Sequence, residues 1–211
     1  MNIELDKNEL MNKLFITVMG TKDNEEFLKD VPHKEIEDMS IVYRLLFNTN
    51  GKEVISEIIN YKILSEIGID EETLDEVAFE NSPRLRPPRL LTPISAILDI
   101  PENEKGDGEL YLVSTDDCTL GAACLFYPEM MQAYARMLES DYYILPSSIH
   151  EFLLISDTII EEPGELISMV KEINAIEVSK EDKLTDNVYH FQLDGKVFET
   201  LDKYMERKGI E

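Results

Sequence analysis

Strand candidates that come in pairs, separated by single helices, predict an α+β fold: a mostly antiparallel sheet with helices packed on one face. Two turn signatures support this. Asn50-Gly51 and Asp194-Gly195 each lie between β-rich runs, and both dipeptides tolerate the positive φ of a hairpin turn. A doubly wound nucleotide fold would need regular strand–helix alternation and a glycine-rich phosphate loop, and the chain has neither. With 211 residues, 43% of them hydrophobic, it is long enough for one substantial core and reads as a single compact domain, 1–211.

In the first half, Leu14–Met19 is a strand. Met39–Phe47 and Glu53–Ile59 flank the Asn50-Gly51 turn, although Ile36, Met39, Tyr43 and Leu46 also fit helical spacing. Tyr61–Ile67 is helical and stops at Gly68. Asp70 caps a second helix from Glu71 to about Asn81, with Leu74, Val77 and Ala78 on one face. Three prolines within Ser82–Pro88 end it. Thr92 then caps a short helix with Pro93 at its first position, running to about Leu98. Pro101–Gly108 is the most polar linker and marks a seam between sub-lobes 1–100 and 109–211.

In the second half, Glu109–Ser114 and Ala122–Tyr127 read as strands around a turn at Thr115–Gly121. Pro128 opens a helix with Met130, Met131, Tyr134, Met137 and Leu138 on one apolar face. Asp141–Leu145 and Glu151–Ile155 are strands joined by an elbow at Pro146–His150. Pro163 opens a helix with Leu166, Met169, Val170 and Ile173 in register, and Val188–Leu193 with Lys196–Leu201 form the second hairpin. The predicted core contains Phe126, Met130, Tyr134, Leu138, Ile144, Leu154, Val170 and Ile173.

Charge narrows the function classes. Forty-four Asp and Glu oppose twenty Lys and Arg, a net charge of −24, and every quarter of the chain is net acidic. A uniform excess reads as a solvated acidic surface. It repels phosphate backbones and anionic lipid, which excludes non-specific nucleic-acid and membrane binding. No apolar run approaches the ~20 residues of a membrane span, and the start shows no export signal. Cys118 and Cys124 make neither a disulfide framework nor a zinc pattern, so a reducing cytoplasm is the expected compartment.

Chemistry-bearing groups concentrate at the elbow, where Ser147, Ser148, His150 and Glu151 lie within five residues. As a hydrolase centre, Ser148 or Ser147 would be the nucleophile and His150 the base, with Glu151 or Asp141 as the acid. In an extended segment Ser148 and His150 share a face with Cα atoms roughly 6.5–7 Å apart, too far for a working dyad. The structural reading makes the serines turn-closing groups after Pro146 and gives His150 a loop-anchoring role. His33, His150, His190, Cys118 and Cys124 have no metal-ligand spacing, Cys124 sits in an apolar run, and His190 alternates toward solvent; no metal and no cofactor is expected.

Arg84, Arg86 and Arg89 punctuate a proline-rich tract, Pro83–Arg89. It reads either as an anion- or partner-docking edge or as an internal neutraliser of carboxylates such as Glu76 and Glu80. The second is favoured because the acid surplus is large and arginine forks bind carboxylates well.

Six segments carry a family resemblance: Asp30-Val-Pro-His33, Ala78–Leu85 with Pro87-Pro88, Gly121–Pro128, Tyr143–Glu151, Met169–Asn174 and Leu184–Tyr189. In these the chain resembles an uncharacterised bacterial family, domain of unknown function 5688, found in gut Firmicutes and often near mobile elements. The resemblance implies a longer region ahead of the first shared strand in most members, so a function housed there is expected to be absent or altered here. It carries over no catalytic residues and no mechanism. The expected function is a non-catalytic protein-interaction or regulatory module, with another protein as partner and the elbow and Pro83–Arg89 as its surface. The alternatives are the hydrolase above and a nucleic-acid-mimicking inhibitor, for which regular rows of carboxylates would be needed.

Overall fold

The structure is a computed structural model and describes residues 6–49, 54–93, 110–146 and 148–210. Helix α1 (Lys7–Met11) leads into β1 (Leu14–Gly20), followed by α2 (Glu25–Leu28), β2 (His33–Ile36), β3 (Met39–Thr49) and β4 (Val54–Ile58). The long β3 pairs antiparallel with β1 along one side, from Leu14↔Leu45 to Gly20↔Met39. β2 and then β4 pair with its other side. The two-residue β alternation puts Leu14, Ile16, Val18, Met39, Ile41, Tyr43 and Leu45 on one buried face. Val42 packs with Leu28 and Val31 on the other. The strands expected around Asn50-Gly51 pair as a hairpin, while the turn dipeptide itself lies outside the described residues.

Two capped helices follow. Asn60 accepts from the Ile63 N–H at 2.8 Å to start α3 (Tyr61–Ile67), and Gly68, at φ 74°, closes it. Asp70 caps α4 (Glu71–Leu85) through the Thr73 N–H at 2.9 Å. The prolines do not end α4 at Asn81. Pro83 lies inside the helix, only two residues from its end, so the missing N–H costs one bond in the last turn. Tertiary packing outweighs that loss: the Ser82 hydroxyl donates to the Ala78 carbonyl at 2.6 Å and accepts the Ile16 N–H of β1 at 2.9 Å.

Residues Pro88–Pro93 form β5. β5 is the outermost strand of its sheet, where a proline leaves no ladder bond unmade on the open side, and its register shifts between Leu91 and Pro93. Residues 94–98 of the expected helix lie outside the described residues, as does Pro101–Gly108.

β5 pairs with β6 (Leu110–Thr115), so the polar linker joins neighbours within one sheet. The sheets therefore divide the chain between β4 and β5, and not at 101–108. The second sheet adds β7 (Tyr142–Leu145), β8 (Phe152–Ser156), β9 (Tyr189–Gln192) and β10 (Val197–Thr200). Its order is β10-β9-β7-β8-β6-β5, antiparallel throughout.

The expected strand at Ala122–Tyr127 is a correction. Gly121–Phe126 is a pair of 3₁₀ turns buried on every side. A short continuous apolar run does not distinguish a buried strand from buried helical turns. Here the elbow decides, because its His150 and Ile149 carbonyls accept the Gly121 and Ala122 N–H groups at 2.9 and 3.2 Å. Glycine is required at 121, since a Cβ there would lie 2.5 Å from the His150 oxygen.

The α+β class with antiparallel sheets holds, and helices cover the second sheet on both faces. Tyr142, Ile144, Phe152, Leu154, Tyr189 and Phe191 share one core with the first sheet, α4, the 3₁₀ turns and α5 (Met130–Leu138). Tyr143, Leu145 and Val188 point the other way, beneath α6 (Gly164–Glu177) and α7 (Leu201–Lys208). Strand β7, Tyr-Tyr-Ile-Leu, has no polar alternate residue, so both its faces need cover. That outer layer buries His190, expected at the surface. Of the predicted core, Ile173 is exposed and Met130 and Leu138 are half-buried; the other five are buried.

Candidate functional site

The elbow between β7 and β8 brings Ser148 to Glu151 and turns His150 elsewhere. The Ser148 hydroxyl donates to Glu151 Oε1 at 2.7 Å and accepts the His150 main-chain N–H at 3.0 Å. A serine bonded in this way closes a turn. His150 Nδ1 accepts the Leu120 N–H at 3.1 Å, so the ring proton sits on Nε2, which faces Asp182 Oδ1 at 3.2 Å. The Ser179 hydroxyl first, and His150 as a lesser cause, hold the Asp182 carboxyl below the usual range against the opposing effect of burial. Both ring nitrogens are thus committed, neither to a serine. The amides of Leu120, Gly121 and Ala122 all point back into the elbow, so none of the three is offered to an oxyanion. Asp141, the alternative acid, lies at the opposite end of β7, beside Asp157. Ser147 lies outside the described residues.

The three arginines do not converge. Arg86 is buried and grips Asp117 with two parallel bonds, Nη1–Oδ2 at 2.5 Å and Nη2–Oδ1 at 2.7 Å. Its Nη2 also reaches the Thr119 carbonyl at 2.6 Å. Burial opposes the charge on Asp117, but bonds from Arg86, Thr119 and Thr115 outweigh it and hold the carboxyl far below the usual range. Arg84 is exposed and donates to the Asn12 carbonyl at 3.0 Å, and Arg89 is exposed on β5. The Thr115–Gly121 turn is therefore clamped by Arg86 on one side and His150 on the other. Cys118 sits exposed on this turn, whereas Cys124 is buried, its thiol pushed up to about 12 by burial.

Asp38 is the polar hub that sequence reading missed. It occupies the two-residue turn between β2 and β3, where Glu37 adopts φ 56°. Its Oδ2 accepts the Thr185 hydroxyl at 2.5 Å and the Asn187 amide at 3.0 Å, and its Oδ1 accepts the Tyr189 hydroxyl. A cavity of about 350 Å³ opens beside it, lined by Gly20, Lys22, Asp38, Lys183 and Asn187 among others. The Leu184–Tyr189 motif was visible in the sequence, but Asp38 reads there as one solvated acid among many.

The metal-type residues are dispersed, with one exception. His33 Nδ1 lies 3.0 Å from the Val31 carbonyl, and His150 is occupied as described. The buried His190 faces Asp157, Nε2 to Oδ2 at 3.2 Å, and its ring stacks on Tyr204 at 3.8 Å. Asp141 completes a group whose ligand atoms lie within 4.8 Å of one another.

On the outer layer, a groove of about 660 Å³ runs between the start of α6 and the end of α7. Glu161, Glu162 and Glu165 rim it, and Pro163, Met205 and Ile210 give it apolar lining. Among the described residues no helix is long and apolar enough to cross a membrane.

Residues 1–193 match a family of unknown function, DUF5688. No curated protein and no solved structure matches the chain. The match spans nearly the whole sequence and takes in the elbow, the Arg86 clamp and the Asp38 hub, so the chain belongs to the DUF5688 family.

Proposed function

We propose that the protein is a non-catalytic, cytoplasmic interaction module that docks a basic partner segment in the groove between α6 and α7. The observation that carries this reading is the lining of that groove: three glutamates around Pro163, Met205 and Ile210, with no Lys or Arg among the described lining residues. Such a lining suits an apolar side chain flanked by lysines or arginines. The net charge of −24 steers a basic partner toward the protein and repels nucleic acid. The elbow supports the non-catalytic part, because the Ser148 hydroxyl is spent on Glu151 and the His150 N–H, and the imidazole on Leu120 and Asp182. Two free cysteines, one of them exposed, suit a reducing compartment.

The test is binding of a labelled peptide of alternating lysine and leucine at two salt concentrations. The wild type is compared with a Glu161→Gln, Glu162→Gln, Glu165→Gln triple variant and with Met205→Asp. Binding should weaken about tenfold or more in both variants. Equal binding to all three proteins would show that the peptide senses only bulk charge, and would end this reading.

A further inference from the structure

We infer that Asp141, Asp157 and His190 form a site for a divalent transition ion such as Zn²⁺ or Mn²⁺. The site is independent of the groove proposed above. Three adjoining parts of one sheet build it. Asp141 immediately precedes β7, Asp157 immediately follows β8, and His190 lies on β9 opposite Tyr143 of β7. Main-chain bonds hold the frame, with the Asp157 N–H donating to the Asp141 carbonyl at 3.1 Å. The Leu193 N–H donates to Asp141 Oδ1 at 2.9 Å and so orients that carboxylate.

The side chains are arranged as ligands. His190 is 0% exposed, its Nε2 is directed at Asp157, and its Nδ1 has no partner among the described residues. A wholly buried imidazole aimed at two carboxylates sets one nitrogen donor beside two oxygen donors. All three donor atoms lie within 4.8 Å of one another. A tetrahedral ion about 2.0–2.2 Å from each donor holds neighbouring donors about 3.3–3.6 Å apart, so the widest pair closes by about 1.5 Å at most. Asp141, only half-buried, can make that movement by side-chain rotation.

Two oxygens and one imidazole nitrogen favour a borderline transition ion over Ca²⁺ or Mg²⁺, which prefer oxygen alone. Arg207, the cation on α7 that faces Asp141, is engaged by Glu199 at 2.5 Å. When the ion takes Nε2, the ring proton moves to Nδ1, which meets no acceptor among the described residues, so the affinity falls about 10–100-fold short of a site whose imidazole has that outer partner. The Tyr204 ring keeps the imidazole in place from α7, and water completes the coordination on the Asp141 side.

The full chain is titrated with ZnCl₂ and MnCl₂ by calorimetry in 0.2 M NaCl, with MgCl₂ as the control for diffuse binding to the acidic surface. Zn²⁺ should bind at one equivalent, and Asp141→Asn and Asp157→Asn should each weaken it at least tenfold. Mn²⁺ should broaden the NMR signals of His190 well before those of His33 or His150. Asp141→Asn lies at the rim and keeps the test valid should Asp157→Asn fail to fold. Lack of saturable binding at one equivalent, Zn²⁺ affinity unchanged in Asp141→Asn, or Mn²⁺ broadening all three histidines alike would overturn the site.

Discussion

Arg86 and Asp117 form a two-pronged, nearly buried ion pair across 31 residues of chain, with side-chain exposures of 5% and 13%. Breaking such a pair on one side leaves a charge with poor solvation. Arg86→Met should therefore cost about 3–5 kcal/mol in urea unfolding. A double variant that also replaces Asp117 with Leu should recover part of it, because no orphan charge is left. Equal losses in both variants would mean that packing, and not charge, sets the cost.

The same pair shapes the acid limb of stability. Asp117 has its folded pKa depressed, so its contribution is complete above the unfolded value of about 3.9 and drains away as pH falls below it. Stability measured from pH 5 down to 2 should fall more steeply in the wild type than in Asp117→Asn. Parallel curves would contradict the assignment.

At the elbow, His150→Ala removes the acceptor for the Leu120 N–H and the partner of Asp182. The cost should be about 1–3 kcal/mol, with faster hydrogen exchange across Thr115–Gly121. A fluorophosphonate probe should label neither protein. Labelling of Ser148 that disappears in His150→Ala would restore a catalytic reading of the elbow.

Burial separates two isoleucines that sequence pattern alone treats alike. Ile144 is 0% exposed, so Ile144→Ala should cost about 2–5 kcal/mol. Ile173 is 40% exposed, and Ile173→Ala should stay within about 0.5 kcal/mol of wild type. Chemical denaturation of the pair checks both figures.

Forty-four carboxylates against twenty cations repel one another at low ionic strength. The melting temperature should rise as NaCl is raised from 10 to 300 mM, since a shorter Debye length screens that repulsion. A flat or falling curve would show that local pairs such as Arg207–Glu199 outweigh the net charge.

Local physics was legible wherever the responsible groups are neighbours in the chain. Asp70 capping α4, Gly68 ending α3, the pairing of β9 with β10 around Asp194-Gly195 and the α+β class all follow from turn chemistry and two-residue or helical periodicity. What the sequence could not decide was which faces would be covered. His190 alternates away from the apolar set of β9, yet α7 closes over it, because β7 is apolar on both sides and a second helical layer must shield it. Likewise Gly121–Phe126 turns helical because the elbow's carbonyls, some thirty residues away, accept its first amides. The Asp38 hub, the Arg86–Asp117 pair and the Asp141–Asp157–His190 group each join residues from separate parts of the chain. Periodicity carries no information about such meetings; they are set by how two sheets and an outer helical layer pack to bury apolar surface.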